Sequence, residues 1–410
     1  MRDRALRVIA ECGRIAAMTE EPGRTTRRFL TAPMHVVHAH LRSRMESMGM
    51  TVRVDAVGNL RALWQPLNAT GKRLLVGSHI DTVPDAGAYD GVLGVVMALE
   101  WVQIAQELKL PLGIEVIAFS EEEGVRFGVP FIGSRAVAGR FDNALLDAKD
   151  SDGITLADAI RAFGLDPADI HSAALDGSAL GFVEIHIEQG PVLEAEDMSL
   201  AVVTGIVGQT RLSLEFTGHA NHAGTTPMRL RHDALAAAAE WITQVESLAH
   251  ATDGLVATVG KVTVKPNAGN VVPGVVDVSL DVRHAHDASR ISAVEKLIDS
   301  ANAIAERRGL ALQRTDRLDQ PAVPMDERMT SFLADAIEAA GMPVKQMPSG
   351  AGHDAMVLAA RVPTAMLFLR SPGGVSHNPA ESVLEEDIEA ALKVGRKFLE
   401  RLAVDARQIR

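Results

Sequence analysis

Cysteine, tyrosine and tryptophan are nearly absent from this chain: its 410 residues include one Cys, one Tyr and three Trp, and aromatics reach only 4%. The lone Cys12 excludes an intrachain disulfide and a structural zinc held by four thiolates, and it fits a reducing compartment. So few rings argue against a single-stranded nucleic-acid binder built on stacked bases. Positive charge is also short, with 41 Lys and Arg against 53 Asp and Glu and a net charge of −12. That balance argues against a surface made for phosphate backbones or anionic membranes, while leaving room for a local basic pocket that takes a small anion. No run approaches the roughly 18 apolar residues of a spanning helix. Met1 to Met18 reads as an amphipathic helix rather than a signal peptide, because Glu11 and Arg14 interrupt its apolar positions. The expectation is a cytoplasmic protein with no nucleic-acid or membrane partner, in which any metal is held by His and carboxylates.

What is present is ordinary for a globular chain, 47% apolar and 23% charged, and the length suits two domains. Residues 1–50 read as helical, and Thr51 to Val54 with Asn59 to Trp64 alternate like the strands of a hairpin. The apolar run Leu74-Leu75-Val76 reads as a strand, Val92 to Leu108 as a buried helix, and Ile114 to Phe119 as the next strand. Phe127 to Gly181 mixes short helices and turns, Phe182 to Glu188 is an alternating strand, and Leu200 to Val203 is another. This order predicts an α/β fold with a mixed, largely parallel sheet flanked by helices. Such sheets bind ligands beyond the carboxyl ends of their strands.

After Gly208 the texture changes. Arg211 to Phe216, Leu255 to Val264, Val275 to Val282 and Leu310 to Gln313 read as strands, with helices over His232 to Ser247 and Ala288 to Arg308. Strand, helix, two strands, helix and a closing strand describe a small ferredoxin-like α/β sandwich. The chain then resumes with Leu333 to Ala340, Thr364 to Leu369 and Leu384 to Leu402. A domain over 209–322 is therefore expected to be inserted into a discontinuous one formed by 1–208 and 323–410.

The chemistry collects in the larger domain. His79, Asp81 and Asp90 sit in a Gly- and Pro-rich loop after the first core strand. Glu121, Glu122 and Glu123 follow the second, His186 lies near the end of the third, and His377 lies in the loop after Thr364 to Leu369. Imidazole and carboxylate are what a zinc-class ion takes. The five residues His79, Asp90, Glu123, His186 and His377 suit two metals with Asp90 as the bridge, and two ions roughly 3.5–4 Å apart can hold and ionise one water. Adjacent Glu122 and Glu123 point apart, so one can ligate while the other accepts the water's proton. Asp81 is placed to orient the ring of His79. Taken singly, each has a bland alternative as a satisfied polar residue or a solvated acidic turn, and His219, His232, His284 and His286 read as structural or exposed.

The joint pattern is more specific. Gly77-Ser-His79-Ile-Asp81-Thr-Val, Asp90-Gly-Val-Leu-Gly, Glu-Glu-Glu123-Gly-Val-Arg126-Phe, His186-Ile-Glu-Gln189-Gly, Asn221-His222-Ala-Gly-Thr-Thr-Pro-Met, Asn270-Val-Val-Pro-Gly and Ser-His377-Asn-Pro resemble the hydantoinase/carbamoylase amidases, within the larger M20 metallopeptidase-like group. The resemblance covers about residues 70–400. It implies two divalent ions per subunit, zinc first, with manganese, cobalt or nickel possible. His79, Asp90 and His186 would hold one ion and Asp90, Glu123 and His377 the other, with Glu122 as general base. A one-residue shift to Glu121 and Glu122 is the alternative, and the spacing to Gly124 favours the first assignment.

The resemblance also makes the inserted domain a lid and homodimer interface, with His222 reaching the partner's site to stabilise an oxyanion. Gln189, Asn270, Arg283 and backbone at Gly352 would contact the substrate, with Arg211 as a further candidate and Arg283 gripping a carboxylate. The reaction implied is hydrolysis of the ureido (N-carbamoyl) C–N bond of a small carboxylate, first an N-carbamoyl-L-amino acid. The alternatives are allantoate, a β-ureidopropionate, an aminoacylase or dipeptidase substrate, or a metal-binding scaffold without catalysis.

Overall fold

Continuous apolar runs become strands buried on both faces when helices cover a parallel sheet. Leu74-Leu75-Val76 lies at the centre of the strand Arg73–His79, and every residue of the neighbouring strand Gly113–Phe119 is buried. A computed structural model of the protein describes residues 1–67 and 71–408. The chain folds as two compact units, Met1–Thr204 with Pro324–Arg410, and Gly205–Val323.

In the first unit the main sheet runs in the order Thr51–Val54, Leu60–Trp64, Gly113–Phe119, Arg73–His79, Ala179–Ile187, Thr364–Leu369 and Leu200–Ile206. The four central strands, from 113–119 to 364–369, are parallel. The flanking pairs are antiparallel. The helix Val92–Glu107 buries thirteen of its sixteen residues, so it is a core element rather than an amphipathic surface one. Fully burying each Val, Leu or Ile there contributes about 1.5–3 kcal/mol. Its one acidic core residue, Glu100, is fully buried and paired with Arg4 at 3.1 Å, Arg7 at 3.4 Å and Arg44 at 3.0 Å. A carboxylate in that position needs such partners to remain charged.

In the second unit the sheet order is Val262–Lys265, Val275–His284, Gly208–Thr217 and Ala311–Gln320, all antiparallel. The helices Ala234–Ala251 and Asp287–Arg308 complete the ferredoxin-like order. In strand 275–284 every second residue, Val276, Val278, Leu280, Val282 and His284, is buried, as expected for one covered face. Trp241 donates its ring N–H to the Leu297 carbonyl at 2.8 Å, which joins the two helices.

Three local expectations need adjustment. Leu255 to Val264 is not one strand but two, Val256–Thr258 and Val262–Lys265. Thr258 opposes Asp281 and Val262 opposes Val278, so four steps on one side face three on the other. The extra residue is a bulge that interrupts the ladder. The closing strand is longer than Leu310 to Gln313 and runs Ala311–Gln320. The short strand Gln346–Ser349 and helix Asp354–Leu358 are additions that Pro348, Gly350 and Gly352 concealed.

Candidate active site

The parallel strands end side by side, and their ends deliver the side chains named above. His79 closes strand 73–79. Its Nδ1 lies 3.0 Å from the Asp81 backbone carbonyl, and its Nε2 lies 3.7 Å from Asp90 Oδ1. His186, near the end of strand 179–187, sets Nδ1 2.9 Å from the Ile187 carbonyl and Nε2 3.2 Å from Asp90 Oδ1. His377, at a left-handed φ of 54°, brings Nε2 to 3.1 Å from Asp90 Oδ2 and 3.5 Å from Glu123 Oε1. Three rings and Glu123 thus converge on one carboxylate. Gly91 is required for this approach: its φ is +66°, and a Cβ there would sit 2.5 Å from the His79 ring.

The hydrogen bonds set the chemistry of the cluster. A backbone carbonyl accepts, so Nδ1 of His79 and His186 carries the proton and the Nε2 lone pair faces Asp90. The Nε2 atom of His186 is buried without an aligned hydrogen-bond partner despite its nearness to Asp90. Lone pairs aimed at a buried carboxylate repel it unless a cation lies between them, and neutral imidazole with carboxylate is a donor set for divalent ions. Two sets of three ligand atoms lie within 4.8 Å of one another around Asp90: His79, Asp90 and His186, and Asp90, Glu123 and His377. The residues present therefore fit a divalent metal ion. Glu184, His186 and His353 also cluster, but Glu184 already accepts from Ser78 Oγ and the Ala355 N–H, both at 2.8 Å, and His353 pairs with Ser349 Oγ at 2.9 Å.

Asp81 orients the ring of His79 through its backbone. Its backbone carbonyl, not its carboxylate, holds the His79 ring; the carboxylate is 3.5 Å from Nδ1. That carboxylate accepts the backbone N–H groups of Glu122 and Glu123 at 3.1 Å. One residue thus fixes both a ring and the acidic turn. Burial raises the Glu122 carboxyl well above the usual range. Glu122 and Glu123 lie beside His79, whereas Glu121 joins no ligand group among the described residues. Glu121 is fully buried and accepts the Arg126 N–H at 3.3 Å.

Gln189, at φ 59°, donates its amide to both Asp90 oxygens at 3.3 Å and to Ser376 Oγ at 3.1 Å. Gly352 abuts the Phe131 ring, where a Cβ would meet a carbon at 2.9 Å.

His222, Asn270 and Arg283 belong to the second unit. The two-residue ribbon Asn221–His222 pairs with Val271–Val272, and the Ala223 N–H donates to the Asn270 carbonyl at 2.9 Å. His222 is exposed, and its Nδ1 accepts the Gly224 and Thr225 N–H groups at 3.1 and 3.2 Å. That assigns the proton of the neutral ring to Nε2, which faces outward as a donor. Arg283 donates Nε and Nη2 to the two oxygens of Asp281, each at 2.9 Å, and Arg211 donates to the same carboxylate at 2.9 Å. Sequence reasoning missed Asp281, whose only signal was its i, i+2 relation to Arg283 on one strand face. It also missed Glu381, which lies 291 residues from its partner Asp90.

No helix among the described residues is long and apolar enough to cross a membrane. Residues 75–401 match the profile of peptidase family M20/M25/M40. An allantoate deiminase from Arabidopsis thaliana is 37% identical over 98% of this chain and 82% of its own length. An N-carbamoyl-L-amino acid amidohydrolase from Geobacillus stearothermophilus is 39% identical over 91% of this chain and 92% of its own. The crystal structure of a hydantoinase/carbamoylase family amidase from Burkholderia multivorans superposes with a TM-score of 0.91 at 33% identity, over 97% of both chains.

Proposed function

The chain belongs to peptidase family M20/M25/M40, and from that premise we propose that it is a metal-dependent amidohydrolase that cleaves the ureido C–N bond of a small carboxylate. The observation that carries the reading is the convergence of His79, His186, His377 and Glu123 on Asp90. His79, Asp90 and His186 would hold one ion, and Asp90, Glu123 and His377 a second. Zinc is the first choice, with manganese, cobalt or nickel as alternatives. Bound ions supply Lewis acidity and lower the pKa of a coordinated water.

The chain's own groups do the rest. Glu122 takes the proton of the attacking water and returns it to the leaving nitrogen, so that nitrogen departs neutral. Asp81 keeps Glu122 and Glu123 in register through their amides. His222 Nε2–H, acting across a homodimer, donates to the oxygen that gains charge. Asn270 and the Arg283–Arg211 pair hold the substrate carboxylate, with Asp281 pairing with both guanidiniums. Gln189 and backbone at Gly352 are further substrate contacts in this reading. The protein works in the cytoplasm, consistent with its single buried thiol.

The first substrate is an N-carbamoyl-L-amino acid, which would yield the amino acid, ammonia and carbon dioxide. Allantoate is the second, favoured by the extent of the match to the allantoate deiminase, and it carries the same ureido and carboxylate groups. Ammonia release from a panel of N-carbamoyl-L-amino acids, N-carbamoyl-β-alanine and allantoate, with release of free amino acids from a dipeptide measured alongside, tests the reading. Turnover of a ureido acid is expected; hydrolysis of the dipeptide alone overturns it.

A further inference from the structure

We infer that Glu381 is a positioning residue that locks the two halves of the metal centre together, and that both sets of ligands lose affinity when it is removed. The inference rests on the reading of His79, Asp90, Glu123, His186 and His377 as metal ligands.

Glu381 is 5% exposed, and it acts on the chain that carries the ligands. Its Oε1 accepts the Tyr89 N–H at 2.9 Å and the Asp90 N–H at 3.0 Å. Its Oε2 accepts the Ser376 hydroxyl at 3.2 Å. Asp90 is common to both ligand sets, and Ser376 immediately precedes His377. One carboxylate therefore ties the loop after strand 73–79 to the loop after strand 364–369. The approach is close: a Cβ on Gly87 would stand 2.4 Å from Glu381 Cβ and Oε1, so Gly87 leaves the room that Glu381 fills. Gln189 adds a third strand end, since its amide donates both to Ser376 Oγ and to Asp90.

The bridging carboxylate is thus held from its backbone side by another carboxylate, which takes two amides that the turn at 89–90 would otherwise leave without these acceptors. Charge-assisted hydrogen bonds of this kind are stronger than neutral ones, and partners that orient metal ligands typically set metal affinity by 10–100-fold.

Zinc affinity and stoichiometry, read by chelator-buffered titration with zinc as the only probe, test the inference on full-length wild type, Glu381→Ala, Glu381→Gln and Ser376→Ala. Wild type should bind two equivalents. Glu381→Ala should weaken both by about 10–100-fold. Glu381→Gln keeps an oxygen for the two amides but loses the charge, and should weaken both equivalents less than Glu381→Ala does. Ser376→Ala removes the links of both Glu381 and the Gln189 amide to the His377 loop and should weaken one equivalent. Unchanged affinity for both equivalents in Glu381→Ala overturns the inference and leaves the metal reading intact. If Glu381→Ala does not fold, an unweakened second site in Ser376→Ala overturns it instead. Absence of zinc binding by wild type would overturn the metal reading itself.

Discussion

The two units place their functional side chains by different means. In the first, His79 and His186 stand at the ends of buried parallel strands, each ring fixed by a backbone carbonyl at 3.0 and 2.9 Å. In the second, His222 sits exposed on a two-residue ribbon and Arg283 is held by a neighbour on its own strand. The first arrangement is rigid because a layered core supports it. The second is set by local hydrogen bonds alone. The contrast suits a division of labour in which one unit holds ions in fixed geometry and the other presents groups that engage the substrate.

The sharpest way to break that division is to remove the proposed base. Glu122→Gln should keep its metal, because the ligand atoms around Asp90 are untouched, yet lose about 10²–10⁴ in kcat. Metal content and steady-state rates measured on the same preparation check this, and near-wild-type turnover would place the base elsewhere. His222→Ala is the counterpart in the other unit. It should lower kcat by about 10²–10³ with metal content unchanged. Mixed dimers of His222→Ala and Glu122→Gln subunits should regain activity if the ring acts across the interface. Verified mixed dimers with none would confine His222 to its own subunit.

A smaller effect separates binding from chemistry. Arg283→Met removes one guanidinium from Asp281 and should raise KM by roughly 10–100-fold with little change in kcat, as for a lost hydrogen bond to a charged group worth about 1.5–3 kcal/mol. Asp281→Asn should also disturb KM, since Arg283 and Arg211 lose the charge that aligns them. A change in kcat alone would move Arg283 from binding to the reacting atoms.

The same contrast explains what was legible in the sequence. Parallel strands announce themselves as apolar runs, and His79, Glu123, His186 and His377 fall where such runs end in Gly-rich turns. The α/β class and the metal-ligand candidates could therefore be read from residue type and position. The roles of His222, Asn270 and Arg283 came only through resemblance, because an exposed His or Arg on a short ribbon has no periodic signature. Glu381 and Asp281 were illegible for a further reason: each acts by pairing that only the folded chain creates, across 291 residues for Glu381. The split of 255–264 shows in the sequence only as a change of phase, from apolar Leu255, Ala257 and Val259 to apolar Val262 and Val264.

A separate prediction asks whether acid sensitivity has a source in the first unit apart from the metal centre. His38, in the helix Ala32–Ser47, is buried against the Phe163 ring at 5.6 Å, and its Nε2 has no hydrogen-bond partner. Burial, with His35 and Arg42 nearby, lowers its pKa to about 4. An unfolded His titrates near 6.5, so between these values the unfolded chain takes a proton that the folded chain refuses. The neutral ring therefore contributes stability fully above about pH 6.5, and that stability is lost as pH falls to about 4, to a limit of about 3 kcal/mol for this one group. His38→Leu should flatten that part of the profile, because it removes the titrating ring without stranding a partner. Urea denaturation of the metal-free protein at pH 7 and pH 4.5 reads the difference with the metal ligands' own protonation common to both proteins. Parallel profiles for wild type and variant would show that the acid sensitivity of the first unit does not come from His38.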